Sequence, residues 1–213
     1  MLLALDTSTP LVSVALLDDG EVVDAATSEQ PMKHGEQLAP MITAALDRVG
    51  AIRQDVTAVA AGVGPGPFTG LRVGLVTART LGLALGIPVY GVCSLDVLAL
   101  RAVLSGVDEP FLATIDARRK ELFWASYDDE GRRLDGPHVD RPSELPGAPG
   151  LLVVGAGPAL YPAAFRHSAG PDGPDAATLG IAVTEERVEL LDPEPIYLRR
   201  PDAVVPGPPK KVS

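Results

Sequence analysis

The chain repeats one order of short apolar segments, and this repeat constrains the fold more than any other feature of the sequence. Residues 2–7 and 11–17 are apolar, and DDG at 18–20 is typical of a tight turn leading into a third strand. The same order returns after residue 110, where FLATID, ELFWASYD and the turn DEG at 129–131 precede another strand. Two antiparallel meanders in series predict an internally duplicated chain.

Helical segments follow the first meander. Apolar side chains at helical spacing predict an amphipathic helix over 35–49, and residues 70–85 predict a second helix that ends at Gly86. With the intervening strands, this is the element order of the ribonuclease H-like module. We therefore predict an α/β fold of two ββ(β)αβαβ-type halves, with residues 1–105 forming the first subdomain and residues 106–200 a second, reduced one.

The second half is less regular. LLVVG at 151–155 predicts a strand, and the pattern over 174–191 predicts a helix. The last segment, 201–213, is rich in proline and contains two lysines, which predicts a disordered tail.

Composition narrows the possible partners. The formal net charge of -10 opposes binding to the phosphate backbone of a nucleic acid, so we expect any role with RNA to be indirect. The lone Cys93 excludes an internal disulfide, and we expect it to be a small buried side chain. No apolar run is long enough for a signal peptide or a membrane span, so we expect a cytoplasmic protein without membrane contact.

The segment AGVGPGPFTGLRVG at 61–74 resembles a phosphate-binding loop at the start of a helix. However, Pro65 and Pro67 remove two backbone donors, and the last loop glycine is followed by Leu and Arg instead of Lys and Ser or Thr. We therefore interpret this segment as a sharp turn between a strand and a helix, with Thr69 as the N-cap.

Small residues recur along the predicted helix. Gly70, Gly74, Ala78 and Gly82 are four apart and form one stripe, which another element could approach closely. Burial in the core and docking of a partner helix both explain such a stripe.

Polar residues follow the first strand. Asp6, Thr7 and Ser8 could hold a metal ion and phosphates, or simply form a polar strand end, and the sequence does not separate these interpretations. His34 has no second histidine within two helical turns, so we expect a capping or surface residue, not a metal ligand.

Five segments together resemble the bacterial TsaB (YeaZ) family, in order and over nearly the whole chain. They are MLLALDTST, HGEQLAPMI, GVGPGPFTGLRVGLVTARTLGLALGIPVYGVCSLDVLA, IDARRKELFWASYD and YLRRPDA. The family is the dimerisation partner of TsaD in making threonylcarbamoyladenosine at position 37 of tRNAs that read codons beginning with A. The resemblance implies an actin-like, sugar-kinase-like fold, which agrees with the duplication.

The resemblance also implies a division of labour. In that family TsaD carries a metal through an H-x-x-x-H pair on the helix equivalent to 35–49, whereas here His34 is followed by GEQLA. The implied role is a non-catalytic scaffold without a cofactor of its own, with ATP and metal on TsaD and TsaE and tRNA reached only through them. Whether the chain forms a homodimer when alone stays open.

The resemblance places the TsaD contact on the helices 35–49 and 70–85. The predicted interface residues are His34, Gln37, Leu38, Met41, Ile42, Ala45, Phe68, Gly70, Leu71, Gly74, Leu75, Ala78, Arg79 and Gly82. Two other functions stay open. One is an independent ATP-dependent phosphotransferase that uses Asp6, Thr7 and Ser8, and the other is a metallopeptidase-like protein, which the missing histidine pair disfavours.

Overall fold

The computed structural model describes residues 1–28, 30–31, 33–147 and 150–199. The strands are β1 (Leu2–Asp6), β2 (Ser13–Asp18), β3 (Glu21–Thr27), β4 (Ala58–Gly62), β5 (Val89–Val92), β6 (Phe111–Asp116), β7 (Leu122–Tyr127), β8 (Arg133–Asp140) and β9 (Leu152–Gly155). The helices are α1 (His34–Val49), α2 (Phe68–Leu85), α3 (Ser94–Leu104), α4 (Ala156–Leu160) and α5 (Ala176–Thr184), with short 3-10 turns at Arg53–Asp55 and Pro142–Glu144. The tail predicted to be disordered, 201–213, lies outside the described residues.

The strands form two sheets with matching topology. The first has the order β3-β2-β1-β4-β5 and the second the order β8-β7-β6-β9. In each sheet the first strand of the half pairs antiparallel with the second and parallel with the fourth. This arrangement confirms the predicted duplicated α/β fold of the actin-like, sugar-kinase-like class.

The first sheet is covered on both faces, which explains why its central strands are continuously apolar. Leu3 and Leu5 of β1 pack with α1 and α2, whereas Ala4 points to the opposite face and packs with Leu179 of α5. Successive side chains of β1 point to opposite faces of the sheet and therefore pack against two separate layers of helices.

The last helix of each half packs on the sheet of the other half. Leu98 of α3 lies in the core of the second sheet with Ala113 and Phe123, while α5 lies along β1 and β2 of the first sheet. The two halves are thus interleaved in space. The division into 1–105 and 106–200 stays a prediction about the sequence.

The predicted helix over 174–191 is wrong at its carboxyl end, because α5 stops at Thr184. Glu186 takes a positive φ of 53°, which breaks the helix, and Leu191 exchanges two backbone hydrogen bonds of 2.8 Å with Gly91 at the edge of the first sheet. Pairing with a distant strand therefore overrides the local helical pattern.

The two long helices end as the sequence predicts. Gly50 and Gly86 follow α1 and α2 with left-handed φ values of 69° and 68°. The predicted N-cap is wrong, since α2 begins at Phe68 after Pro67 and Thr69 lies within its exposed first turn. None of the helices in the described ranges has the length and apolar character needed to cross a bilayer.

Candidate functional site

The polar side chains after β1 turn inward. Asp6 is 2% exposed, and its Oδ1 accepts hydrogen bonds from the backbone N and the Oγ of Ser8 at 2.7 and 2.6 Å. Ser94 Oγ donates to Asp6 Oδ2 at 2.8 Å. Burial raises the pKa of the Asp6 carboxyl above its ordinary value, although these hydrogen bonds act in the opposite direction.

Thr7 joins β1 to α2. Its hydroxyl donates to the backbone oxygen of Gly70 at 2.8 Å, and a Cβ added to Gly74 would lie 2.3 Å from Thr7 Oγ1. Asp6, Thr7 and Ser8 therefore satisfy their polar atoms within the chain, which supports the interpretation as a buried polar strand end.

The glycine segment also uses its backbone inside the fold. The amide of Val63 donates to Val92 O at 2.8 Å, and the amide of Gly64 donates to Ser94 Oγ at 3.2 Å. Gly66 packs on the chain after β1, because a Cβ there would lie 2.3 Å from Ser8 O. These contacts support a structural turn, since the amides of Val63 and Gly64 already have partners and Gly66 packs against the chain.

A cleft of about 530 Å³ lies between the two halves. Its lining includes the carboxylates Asp6, Asp116, Asp172 and Asp175 and one cation, Arg101. Arg101 already has partners, because its Nε lies 2.7 Å from Asp175 Oδ2 and its NH1 donates to the backbone oxygen of Gly173 at 2.6 Å. The excess of carboxylates in the lining disfavours binding of a nucleoside triphosphate, because its phosphates are also negatively charged. Within the described ranges, no three His, Cys, Asp or Glu side chains are grouped so that they could hold a metal ion.

His34 is neither a cap nor a surface residue, contrary to the expectation. It is 5% exposed, and its Nε2 lies 2.7 Å from the backbone oxygen of Thr9. One turn later, where an H-x-x-x-H pair would have its second histidine, Leu38 is 1% exposed in the core. Cys93 is buried as expected, and burial raises the pKa of its thiol to about 12.

Most of the predicted interface residues are covered within this chain, and the interface itself stays a prediction. The buried members are His34, Leu38, Ile42, Ala45, Gly70, Leu71, Gly74, Leu75, Ala78 and Gly82. The members that reach solvent are Gln37, Met41, Phe68 and Arg79. The small residues of α2 face the first sheet and allow the helix to pack closely on β1, β4 and β5.

The side of α2 that faces away from the sheet is exposed and carries apolar side chains together with Arg72 and Arg79. Val76 is 63% exposed and Leu83 is 87% exposed, and Phe68 at the helix start is 40% exposed. Sequence reasoning missed Val76 and Leu83, although their spacing of two turns, opposite the glycines, was a readable signal. Large exposed apolar side chains on a helix that lies beside α1 are typical of a protein interface.

An aromatic cluster closes the amino end of this face. The guanidinium of Arg72 lies 3.6 Å from the ring centroid of Phe68, and the Phe68 and Tyr197 rings stack with centroids 5.3 Å apart. Arg72 Nε also donates to Tyr197 Oη at 3.1 Å. The final described segment, 185–199, is thereby attached to α2.

Comparisons with known proteins agree with this fold. A family model described as TsaD, tRNA N6-adenosine threonylcarbamoyltransferase, matches residues 25–164. A Mycobacterium bovis protein described as uncharacterized is 40% identical over 206 residues, 94% of this chain and 92% of that protein. The Escherichia coli tRNA threonylcarbamoyladenosine biosynthesis protein TsaB is 40% identical over 126 residues, 59% of this chain and 54% of that protein. A Pseudomonas aeruginosa crystal structure, described as an uncharacterized protein with similarity to the peptidase YeaZ, has a TM-score of 0.79 at 33% identity and covers 93% of this chain and 99% of that chain.

Proposed function

The chain belongs to the TsaD family, with TsaB and YeaZ proteins among its relatives, and on that premise we propose that it is a non-catalytic subunit in the synthesis of threonylcarbamoyladenosine in tRNA. It binds a TsaD enzyme and supports transfer of the threonylcarbamoyl group to adenosine 37 of tRNAs that read codons beginning with A. ATP and metal belong to TsaD and TsaE in this proposal, and the work takes place in the cytoplasm.

The open face of α2 carries the proposal. Val76 and Leu83 expose apolar side chains on the solvent side of α2, alongside the exposed Arg72 and Arg79, and α1 lies beside this helix. A homologous subunit with the same helix pair could pack on the exposed sides of α1 and α2 at once and form a helical bundle. Burial of such side chains supplies the main favourable free energy of association.

The inward orientation of the polar groups supports a non-catalytic role. A group that performs acid, base or metal chemistry must reach a substrate. Here both carboxylate oxygens of Asp6 already accept hydrogen bonds from Ser8 and Ser94, and Leu38 fills the core where a second histidine would stand.

The experiment is co-purification with TsaD from the same source, followed by a transfer assay with each protein alone and with both together. We expect a stable complex, with activity lost when this chain is omitted. Leu83→Glu should weaken the complex at least about 100-fold, because a charge would be buried in an apolar contact. The matched control is Leu134→Glu, since Leu134 is 65% exposed on β8 of the second sheet and away from α2.

Two outcomes would contradict the proposal. One is transfer by this chain alone, and the other is a Leu83→Glu variant that binds TsaD as tightly as the Leu134→Glu control. Sedimentation of the chain without TsaD tests the homodimer, which should use the same face and should also be lost in Leu83→Glu.

A further inference from the structure

The exposed side of α2 alternates charged and apolar side chains. Arg72, Val76, Arg79 and Leu83 follow one another at spacings of four, three and four residues, and all four are exposed. On an α-helix this spacing places side chains in one stripe along the surface. The two arginines are therefore attached on the same side of the helix, two turns or about 10 Å apart along its axis.

The fold provides no carboxylate for these two arginines. The sequence of α2, FTGLRVGLVTARTLGLAL, contains no aspartate or glutamate, although the whole chain has 28 acidic residues against 18 basic ones. Among the residues that the structure describes, neither Arg72 nor Arg79 forms an ion pair. The exposed side of α2 is thus a positively charged and partly apolar surface on an acidic protein.

Contacts within the chain hold Arg72 in one orientation. Its guanidinium lies 3.6 Å from the ring centroid of Phe68, and its Nε donates to Tyr197 Oη at 3.1 Å. This hydrogen bond uses only Nε, and NH1 and NH2 have no hydrogen-bond partner in the described part of the chain. The planar group is therefore oriented in advance, and its two remaining nitrogens can donate to the two oxygens of one carboxylate. Such preorganisation lowers the entropy lost on binding.

We propose that Arg72 and Arg79 bind two carboxylates on the helix of TsaD that packs against α2. This inference rests on the proposed function, because it names the chemistry of the partner surface at the same site. Apolar side chains of that helix lie against Val76 and Leu83, and two acidic side chains about two turns apart face the arginines. A second copy of this chain brings an α2 with the same two arginines and no carboxylate, so charge favours TsaD over self-association.

The test measures the Kd of TsaD for variants of this chain by isothermal titration calorimetry at several salt concentrations. Arg72→Gln and Arg79→Gln should each raise the Kd about 5-fold or more, because a carboxylate in the contact loses its cation. The ratio of the variant Kd to the wild-type Kd should shrink as the salt concentration rises, since salt screens the ion pair. Arg79 has no hydrogen bond or ion pair within the described ranges, so its variant keeps every internal contact of that kind.

The matched control is Arg166→Gln. Arg166 is also exposed, and the neighbouring Phe165 packs on the second sheet in an apolar cluster that contains no residue of α2. This substitution removes the same charge from the same chain and leaves the proposed contact unchanged. The Kd for TsaD should therefore stay at the wild-type value.

The outcomes separate this inference from the proposed function. If the complex forms and both Gln variants of α2 bind as tightly as the Arg166→Gln control, the inference is wrong and the proposed function stands. A loss of affinity that is equal at every salt concentration would also overturn the inference, because it would not be electrostatic. Sedimentation of the chain alone checks the second copy, and weaker self-association in the Gln variants with unchanged TsaD binding would contradict the choice of partner. If no complex forms, the proposed function and the inference fail together.

Discussion

Thr7 and Gly74 lie so close together that β1 and α2 leave no room for a methyl group between them. A Cβ on Gly74 would be 2.3 Å from Thr7 Oγ1, and a Cβ on Gly82 would be 2.3 Å from Val89 Cγ2. The same face of α2 therefore meets the first sheet along its length. This contact decides which side of the helix is left for a partner.

Gly74→Ala should destabilise the fold. The added methyl group has no room beside Thr7, so we expect the free energy of unfolding to fall by about 1–3 kcal/mol in urea denaturation. Gly35→Ala is the matched control, because nothing lies within 4 Å of a Cβ at Gly35 in α1. The control should be neutral or slightly stabilising, and equal losses in both variants would contradict the packing argument.

Asp175→Ala should loosen α5 from the first sheet. The Asp175 side chain accepts from the amide of Thr178 at 2.7 Å and forms the ion pair with Arg101. Loss of the N-cap should cost about 1 kcal/mol, and amide hydrogen exchange should increase in α5. Asp175→Asn keeps a good cap and removes the charge, so it should lie between wild type and Ala. If Asn costs as much as Ala, the ion pair and not the cap supplies the stability.

The strands and the ends of the long helices could be predicted because they depend on local pattern. Alternation and turn residues define the two meanders, and Gly50 and Gly86 stop their helices through a backbone conformation that glycine adopts readily. The end of α5 could not be predicted, since Leu191 leaves the helical pattern to pair with Gly91, a hundred positions away in the chain.

The sequence alone also could not predict which element packs against the small residues of α2. A stripe of small residues permits close approach by either a helix or a sheet, and only the contacts of Gly74 and Gly82 show that it is the sheet.

Asp6 should make the stability depend on pH. Its pKa is raised above the ordinary value of 3.8 by burial, so the folded chain holds this proton more tightly than the unfolded chain. The stability from this group is therefore present below 3.8 and is lost as the pH rises through the folded-state pKa. Asp6→Asn removes that loss, so the free energy of unfolding of the variant minus that of wild type should rise with pH in the window above 3.8.

The measurement for Asp6 is urea denaturation of both proteins over a pH series. Asp135→Asn is a control of opposite sign, because a hydrogen bond from His138 lowers the pKa of the exposed Asp135. Stability from Asp135 is present above its ordinary pKa and is lost as the pH falls. Parallel curves for Asp6→Asn and wild type would show that the carboxyl is not perturbed in solution.

Tyr127→Phe should weaken the contact between the two halves. The Tyr127 hydroxyl on β7 donates to Oδ1 of Asp96 on α3 at 2.7 Å, and Arg133 NH1 is farther from the same oxygen at 3.6 Å. Burial raises the pKa of both Asp96 and Tyr127, and the hydrogen bond between them gives each buried group a polar partner. We expect a loss of about 1.5–3 kcal/mol in the free energy of unfolding, because a buried acceptor loses its donor. The control is Tyr161→Phe, whose hydroxyl has no hydrogen-bond partner among the residues that the structure describes.

A double-mutant cycle separates this hydrogen bond from the loss of packing. Asp96→Asn alone and Tyr127→Phe alone should each destabilise the chain, and the double variant should cost less than the two losses added together. The reason is that the second change removes a group whose partner has already gone. Strict additivity would mean that the 2.7 Å contact contributes nothing beyond the two side chains taken separately.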